Sequence, residues 1–171
     1  RMRWRHPYLG RIRDSKKLTP KGREEWFDYL SEHPRLRWAV TRVGHRIIDR
    51  VNISRAADLG SRRLAKGLIG NGQRAFFWLD GGLKLPKQVP HRALIRGDEK
   101  MPLIAAASIL AKVSRDRMMI RLAKKFPEYH FDVHKGYGTR LHREVLVKRG
   151  PTEVHRMTFL GRLRNAERGK M

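Results

Sequence analysis

The sequence predicts an α/β or mixed three-layer domain. Three observations carry that expectation. Apolar runs of strand length alternate with stretches of helical period. The 171 residues are 40% hydrophobic, enough for one domain with a real core and too much for wholesale disorder. And one long stretch, Gly97 to Asp116 (GDEKMPLIAAASILAKVSRD), reads as a central helix with small residues on its surface.

That helix organises the rest. Met101 to Ala111 contains no ionisable residue, in a chain that is 33% charged. Pro102 suits a first helical turn, where its missing N–H costs nothing. Ile104, Ala107, Ile109, Leu110 and Val113 follow at helical spacing and predict the buried side. Ala105, Ala106, Ala107 and Ser108 are small, which predicts close packing on something flat, most simply a sheet.

The other elements follow in chain order. Arg1 to Arg13 is basic, with Trp4, Tyr8, Leu9 and Ile12 at no clear period, and is left unassigned. Thr19 followed by Pro20 predicts an N-cap and first-turn residue, with a helix to about Ser31 that places Trp26, Phe27 and Leu30 on one face. Leu36 to Val43 reads as a strand, since Trp, Val and Thr favour that state. Asn52 or Ser54 caps a helix through about Leu68 with Ile53, Ala56, Ala57, Leu64 and Leu68 inward, and Gly70-Asn71-Gly72 ends it. Ala75 to Leu79 (AFFWL) predicts a fully buried strand ending at Asp80, and a further strand over about Arg92 to Ile95 leads to Gly97-Asp98. Phe126 to Tyr129 breaks the long helix. Thr139 caps a last helix carrying Leu141, Val145 and Leu146, and Gly150-Pro151 closes it. The expected organisation is a basic N-terminal remnant over 1–13, one domain over 14–160 and a flexible basic tail over 161–171.

Composition narrows the function. Forty Lys plus Arg against sixteen Asp plus Glu give a net charge of +24, which points to a polyanionic partner. Nucleic acid comes first and an anionic membrane surface second. With no cysteine, a disulfide framework and a thiolate metal site are both excluded. The longest uncharged run falls short of the ~20 residues that span a bilayer, no signal peptide is visible, and a cytoplasmic location is expected. Residue 1 is Arg, not Met, so the chain is expected to be N-terminally truncated.

The candidate chemistry lies in two acids at strand ends, Asp80 after AFFWL and Asp98 after ALIRG. Open α/β sheets collect ligands at the carboxyl ends of strands. Two carboxylates brought together there repel unless a cation lies between them, and Mg²⁺ takes one or two protein carboxylates together with phosphate oxygens. Paired ions held in this way cleave phosphodiesters. The residues alone leave a second reading open: Asp80 starts a turn and Asp98 meets a helix dipole. Ser15, Lys16 and Lys17 project near a helix start, a favourable place for a phosphate, or form a solvated loop. Tyr137, between glycines, can stack on a sugar or base, or tether its loop. His134 and His142 are weaker candidates for a phosphate or a metal-bound water. Lys112, Arg115, Asp116 and Arg117 read as a solvated helix face.

These stretches carry a resemblance. DSKKL (Asp14 to Leu18), Asn52-Ile53 with Ala56, Asp80-Gly81, Gly97 to Asp116, HKGYGT (His134 to Thr139) and GPTEVHRMTF (Gly150 to Phe159) occur in the order found in bacterial ribonuclease HII, and the chain resembles that family from Asp14 to about Leu160. The resemblance implies an RNase H-like fold with a helical C-terminal part. It implies an endonuclease that hydrolyses RNA in RNA–DNA hybrids and cuts at ribonucleotides embedded in duplex DNA, leaving 5′-phosphate and 3′-hydroxyl ends. The implied cofactor is Mg²⁺ or Mn²⁺, and the implied state of the complete protein is a monomer. By position Asp80 and Asp98 match two of the family's four metal carboxylates and are the expected catalytic pair. Tyr137 matches the tyrosine that packs on the junction sugar and helps read the 2′-hydroxyl, and Ser15, Lys16 and Lys17 match a substrate-binding loop. The family's opening strand, with an Asp-Glu pair and Gly-Arg-Gly, has no match in Arg1 to Arg13, so the first strands and half of the metal site are expected to be missing. Two alternatives follow: a non-catalytic binder of RNA–DNA hybrid, and a fragment completed by another chain.

Overall fold

The computed structural model describes residues 5–6, 10–12, 15–69 and 74–161, with only the backbone described at 5, 6 and 10. Expectations for Asp14, for the 70–72 turn and for the tail beyond 161 lie outside the described residues. The chain forms two compact units: Arg1–Arg42 with Ala57–Ser114, and Val43–Ala56 with Arg115–Met171. No described helix is long and apolar enough to cross a membrane.

The first unit begins with two short antiparallel strands, β1 (Arg5–His6) and β2 (Gly10–Arg11), in a stretch whose sequence shows no period. A 3₁₀ turn, Ser15–Lys17, precedes helix α1 (Pro20–Glu32). Thr19 caps α1 as expected, its Oγ1 accepting the Gly22 N–H at 3.1 Å. Trp26, Phe27 and Leu30 are buried, again as expected. Their partners are Ile12 and the first half of the central helix, through Ala105, Ala106, Ile109, Leu110 and Val113. The small residues thus admit the aromatic face of α1, and the expectation that they lie on a sheet is corrected: an alanine surface accommodates Trp26 and Phe27 as readily as a pleated backbone. Burying each large side chain here contributes ~1.5–3 kcal/mol. Ala107, expected inward, is exposed.

Leu36 to Val43 is not a strand. Its strand-forming residues have no ladder partner among the described residues, and β-propensity expresses fit to a half-buried sheet rather than a backbone preference. Leu36 packs beside α1, Trp38 stands 40% exposed with its ring 5.5 Å from Phe27, and its indole donates to the Ser31 carbonyl.

Helix α2 (His45–Val51), which sequence reasoning missed, precedes α3 (Ile53–Leu68), whose start is marked by Asn52 Oδ1 accepting the Arg55 N–H at 3.0 Å. Ala56 and Ala65 are buried, but Ile53 and Leu68, expected inward, are exposed because they are the helix's first and last residues. Strands β3 (Phe77–Asp80) and β4 (His91–Leu94) pair in parallel, with Asp80 opposite Leu94. The expectation of a fully buried strand fails at β3. Strand side chains alternate between faces: Phe77 and Leu79 join Ala65, Leu85 and Val89 in a small core, while Phe76 and Trp78 form their own ring contact and Phe76 is 55% exposed.

After β4, a one-turn helix α4 (Gly97–Lys100) precedes the central helix α5 (Pro102–Lys125). Pro102 opens α5 as expected. The first half of α5 belongs to the first unit and the second half to the second.

In the second unit, Met119 and Ala123 of α5 pack with Tyr129 and Phe131, bordered by Val145, Leu146 and Val154. A 3₁₀ turn (Pro127–Tyr129) and helices α6 (Phe131–His134) and α7 (Arg140–Arg149) carry these residues. Thr139 caps α7, and Gly150, at φ +75°, ends it. Asp49 of α2 accepts the N–H groups of Met157 and Thr158 at 2.8 and 3.2 Å and the Thr158 hydroxyl at 2.5 Å, and that hydroxyl, foremost, holds its carboxyl below the usual range.

Candidate functional site

The two acids stand at one strand end. Asp80 closes β3, and its backbone carbonyl accepts the Leu83 N–H at 3.3 Å, so it does start a turn. Its side chain does more. Oδ1 accepts two backbone N–H groups at 2.9 Å, one from Gly81 and one from Gly97 across the strand pair. The second bond joins Asp80 to the residue immediately before Asp98. Gly97 is closely packed at this point: a Cβ there would lie 2.6 Å from Ile104 Cδ1, which would have to shift, and 3.3 Å from Asp80 Oδ1. Asp98, 7% exposed, occupies the first turn of α4. It is therefore not the cap of the long helix, because Met101 intervenes and α5 starts at Pro102.

A cationic turn lies beside these acids. Ser15 is buried and its hydroxyl pairs with that of Ser108 on α5 at 2.9 Å, which anchors the turn. Lys16 Nζ lies 3.8 Å from Asp98 Oδ2, and Lys17 Nζ lies 3.8 Å from Glu99 Oε2. The Lys16 side chain is 83% exposed while its partner Asp98 is buried, so solvent screens this pair from the lysine side only. Arg23 donates to the Ser15 and Leu18 carbonyls and fixes the turn from the α1 side. The first unit thus brings together Ser15, Lys16, Lys17, Asp80 and Asp98.

Tyr137 belongs to the second unit and is 55% exposed. Its loop is held at almost every carbonyl. Arg115 donates to Lys135 O at 3.1 Å and lies over the Tyr137 ring at 5.1 Å. Arg143 donates to Gly138 O at 2.7 Å, and the Tyr137 N–H reaches His134 O at 2.8 Å. Lys135 and Gly136 both have positive φ, +51° and +75°, which turns the chain sharply ahead of the tyrosine. At Gly136 a Cβ would meet Met119 Cε at 3.1 Å. The reading of Arg115 as part of a merely solvated face is corrected: it is half-buried and braces the tyrosine loop. No spacing rule reveals that role, because the partner is a backbone carbonyl twenty residues along the chain.

His134 and His142 are buried, and their ring nitrogens bond to protein atoms. His134 Nδ1 accepts the Gly136 N–H at 3.0 Å, which leaves Nε2 to donate to Tyr129 O at 2.7 Å. His142 stacks on His134 with ring centroids 4.1 Å apart, and bonds to Tyr137 O and to His155. Burial pushes the imidazoles of His142 and His155 below the ordinary histidine range. No group of three or more His, Asp or Glu able to hold a metal ion occurs among the described residues.

Comparison with known proteins identifies the family of the chain. The model of the family described as Ribonuclease HII matches residues 84–162. A ribonuclease HII of Caldicellulosiruptor bescii is 43% identical over 150 residues, covering 87% of this chain and 71% of the relative. One from Alkaliphilus metalliredigens is 39% identical, covering 89% and 76%, and one from Endomicrobium trichonymphae is 44% identical, covering 90% and 70%. With its α/β architecture and a match of this extent, the chain belongs to the ribonuclease HII family of enzymes.

Proposed function

We propose that the chain carries the working surface of an endonuclease that cuts the RNA strand of RNA–DNA hybrids and cuts beside ribonucleotides embedded in duplex DNA. The observation that supports this most directly is the acid pair itself: Asp80 and Asp98, joined through Gly97, beside a lysine turn in a chain of charge +24. Basic side chains neutralise backbone phosphates, and a pair of acids beside them is suited to hold a divalent cation.

Asp80 and Asp98 would hold a divalent ion, Mg²⁺ or Mn²⁺. Their chemistry fits: both are hard oxygen donors, the number matches what Mg²⁺ ordinarily takes from a protein, and Asp98 already draws a cationic ammonium to 3.8 Å. Bound there, the ion would polarise the scissile phosphate and assist attack by water, giving 5′-phosphate and 3′-hydroxyl ends. The chain's own residues do the rest. The Gly81 and Gly97 N–H groups pin Asp80 Oδ1 and orient its carboxylate. Lys16 and Lys17, both exposed, contact a substrate phosphate. Ser15 fixes their turn. Tyr137 packs on the sugar at the RNA–DNA junction, where the 2′-hydroxyl separates ribose from deoxyribose.

The test is cleavage of a DNA duplex containing one ribonucleotide, with Mg²⁺ or Mn²⁺. Cleavage beside the ribonucleotide, lost in Asp98→Asn, is expected. A second reading is favoured by the presence of two acids rather than a larger acidic cluster among the described residues: the chain binds hybrid duplex without cutting it. In that case salt-sensitive binding persists in Asp80→Asn and Asp98→Asn, and neither the parent chain nor the variants cleave.

A further inference from the structure

We infer that His142 and His155 are positioning residues for Tyr137: a hydrogen-bonded relay, Thr152 to His155 to His142 to the Tyr137 carbonyl, sets the exposed ring in the orientation that distinguishes ribose from deoxyribose. This rests on the proposed role of Tyr137.

The proton positions follow from the partners. The Tyr137 carbonyl can only accept, so His142 Nδ1, at 3.0 Å, carries a proton. The Thr152 N–H can only donate, so His155 Nδ1, at 2.9 Å, carries none. The two Nε2 atoms face each other at 3.2 Å, and the single proton between them belongs to His155 and is donated to His142. Each ring is thus neutral, with one donor and one acceptor in use. The relay reaches the tyrosine from behind, at the same loop that Arg115 and Arg143 tie at the neighbouring carbonyls. A ring 55% exposed, on a loop this heavily bonded, is a preset platform rather than a mobile side chain.

A further proton on either imidazole sets two N–H groups against each other and opens the relay. The groups facing it are His134, stacked on His142, and Tyr129, 5.4 Å from His155. His45 is within electrostatic reach of His155, and its buried Nε2 has no hydrogen-bond partner among the described residues. Charged neighbours are engaged elsewhere: Arg143 with Gly138 O, Glu144 with Arg140, Glu153 with Lys125, and Arg156 with the Phe159 ring.

The test compares binding of two labelled duplexes, one all DNA and one with a single ribonucleotide, by fluorescence anisotropy in an Asp98→Asn background that suppresses cleavage. Tyr137→Ala is expected to abolish the preference for the ribonucleotide. His142→Leu is expected to lower the preference about fivefold, the scale of one net hydrogen bond, with all-DNA affinity unchanged and part of the preference recovered in His142→Asn. The preference of the parent is expected to fall as pH drops below about 6.5, the ordinary histidine value, into the depressed range of the two imidazoles, and the fall is expected to be smaller in His142→Asn. Full preference in a folded His142→Leu, with Tyr137→Ala lacking it, overturns the relay while leaving Tyr137's role intact. Full preference in Tyr137→Ala overturns both. Should His142→Leu fail to fold, ¹⁵N and ¹³C spectroscopy of the chain without that substitution decides. His142 must be the Nδ1–H tautomer and His155 the Nε2–H tautomer, and the Tyr137 carbonyl carbon must shift as they titrate. The opposite tautomers, or an unmoved carbonyl, overturn the inference.

Discussion

Polar side chains are used differently in the two units. Asp98 is buried and Asp80 half-buried, and the hydrogen bonds to Asp80 among the described residues gather on one oxygen, Oδ1. In the second unit, His134, His142 and His155 lie among Tyr129 and Phe131 with both nitrogens of every ring bonded. The two acids lie beside a basic turn, whereas the histidines saturate their ring nitrogens within the protein, since an unmade buried hydrogen bond costs ~1–3 kcal/mol. Residue type alone does not separate the two cases, because histidine and aspartate are both ordinary metal ligands.

The contrast can be broken by substitution, beginning with the largest effect. Asp98→Asn is expected to lower ribonucleotide-directed cleavage by about 10³-fold, as loss of several kcal/mol of charge stabilisation requires, while circular dichroism stays unchanged. An active variant would place the chemistry elsewhere. Leu30→Ala, at a fully buried position in the first core, should cost ~2–5 kcal/mol in urea unfolding. Gly97→Ala should cost ~1–3 kcal/mol by overpacking against Ile104, and should reduce cleavage more than stability, because the added methyl also presses on Asp80. Wild-type stability with full activity there would show that the Gly97 bridge does not orient the carboxylate.

The histidines supply the pH prediction. Burial first of all holds His142 and His155 below the ordinary histidine range, so near pH 6 the unfolded chain binds more protons than the folded one. Their contribution is complete above about pH 6.5 and is lost as pH falls through that value toward the depressed native range. The urea midpoint should therefore drop between about pH 7 and about pH 5.5, and the drop should shrink in His142→Gln/His155→Gln. The smallest effect is expected at the caps, where Thr19→Ala and Thr139→Ala should each cost ~1 kcal/mol, in different units. A far larger cost at Thr139 would mean that the α7 start is part of the relay's support.

Much of this molecule is legible in its sequence. Thr19-Pro20 and Thr139 are caps because a hydroxyl three residues ahead of an orphan N–H satisfies it locally. Pro102 begins a helix for an equally local reason. The charge of +24 and the ordered motifs from Asp14 to Phe159 indicate nucleic acid and the family. Asp80 and Asp98 can be paired from the sequence because both follow strand-like runs, and parallel pairing puts such ends side by side.

The features readable in this way are set by bonds within a few residues: caps, helix starts, the Gly150 stop, and with them the total charge. The remaining features depend on which surfaces meet when the chain folds. The alanines of α5 received an aromatic helix, Leu36 to Val43 found no ladder among the described residues, and β3 buried one face. The bridge through Gly97 and the relay behind Tyr137 are of the same kind. The bridge spans seventeen residues and the His142–His155 link of the relay thirteen, and hydrogen bonds of that range carry no periodicity for a sequence to display.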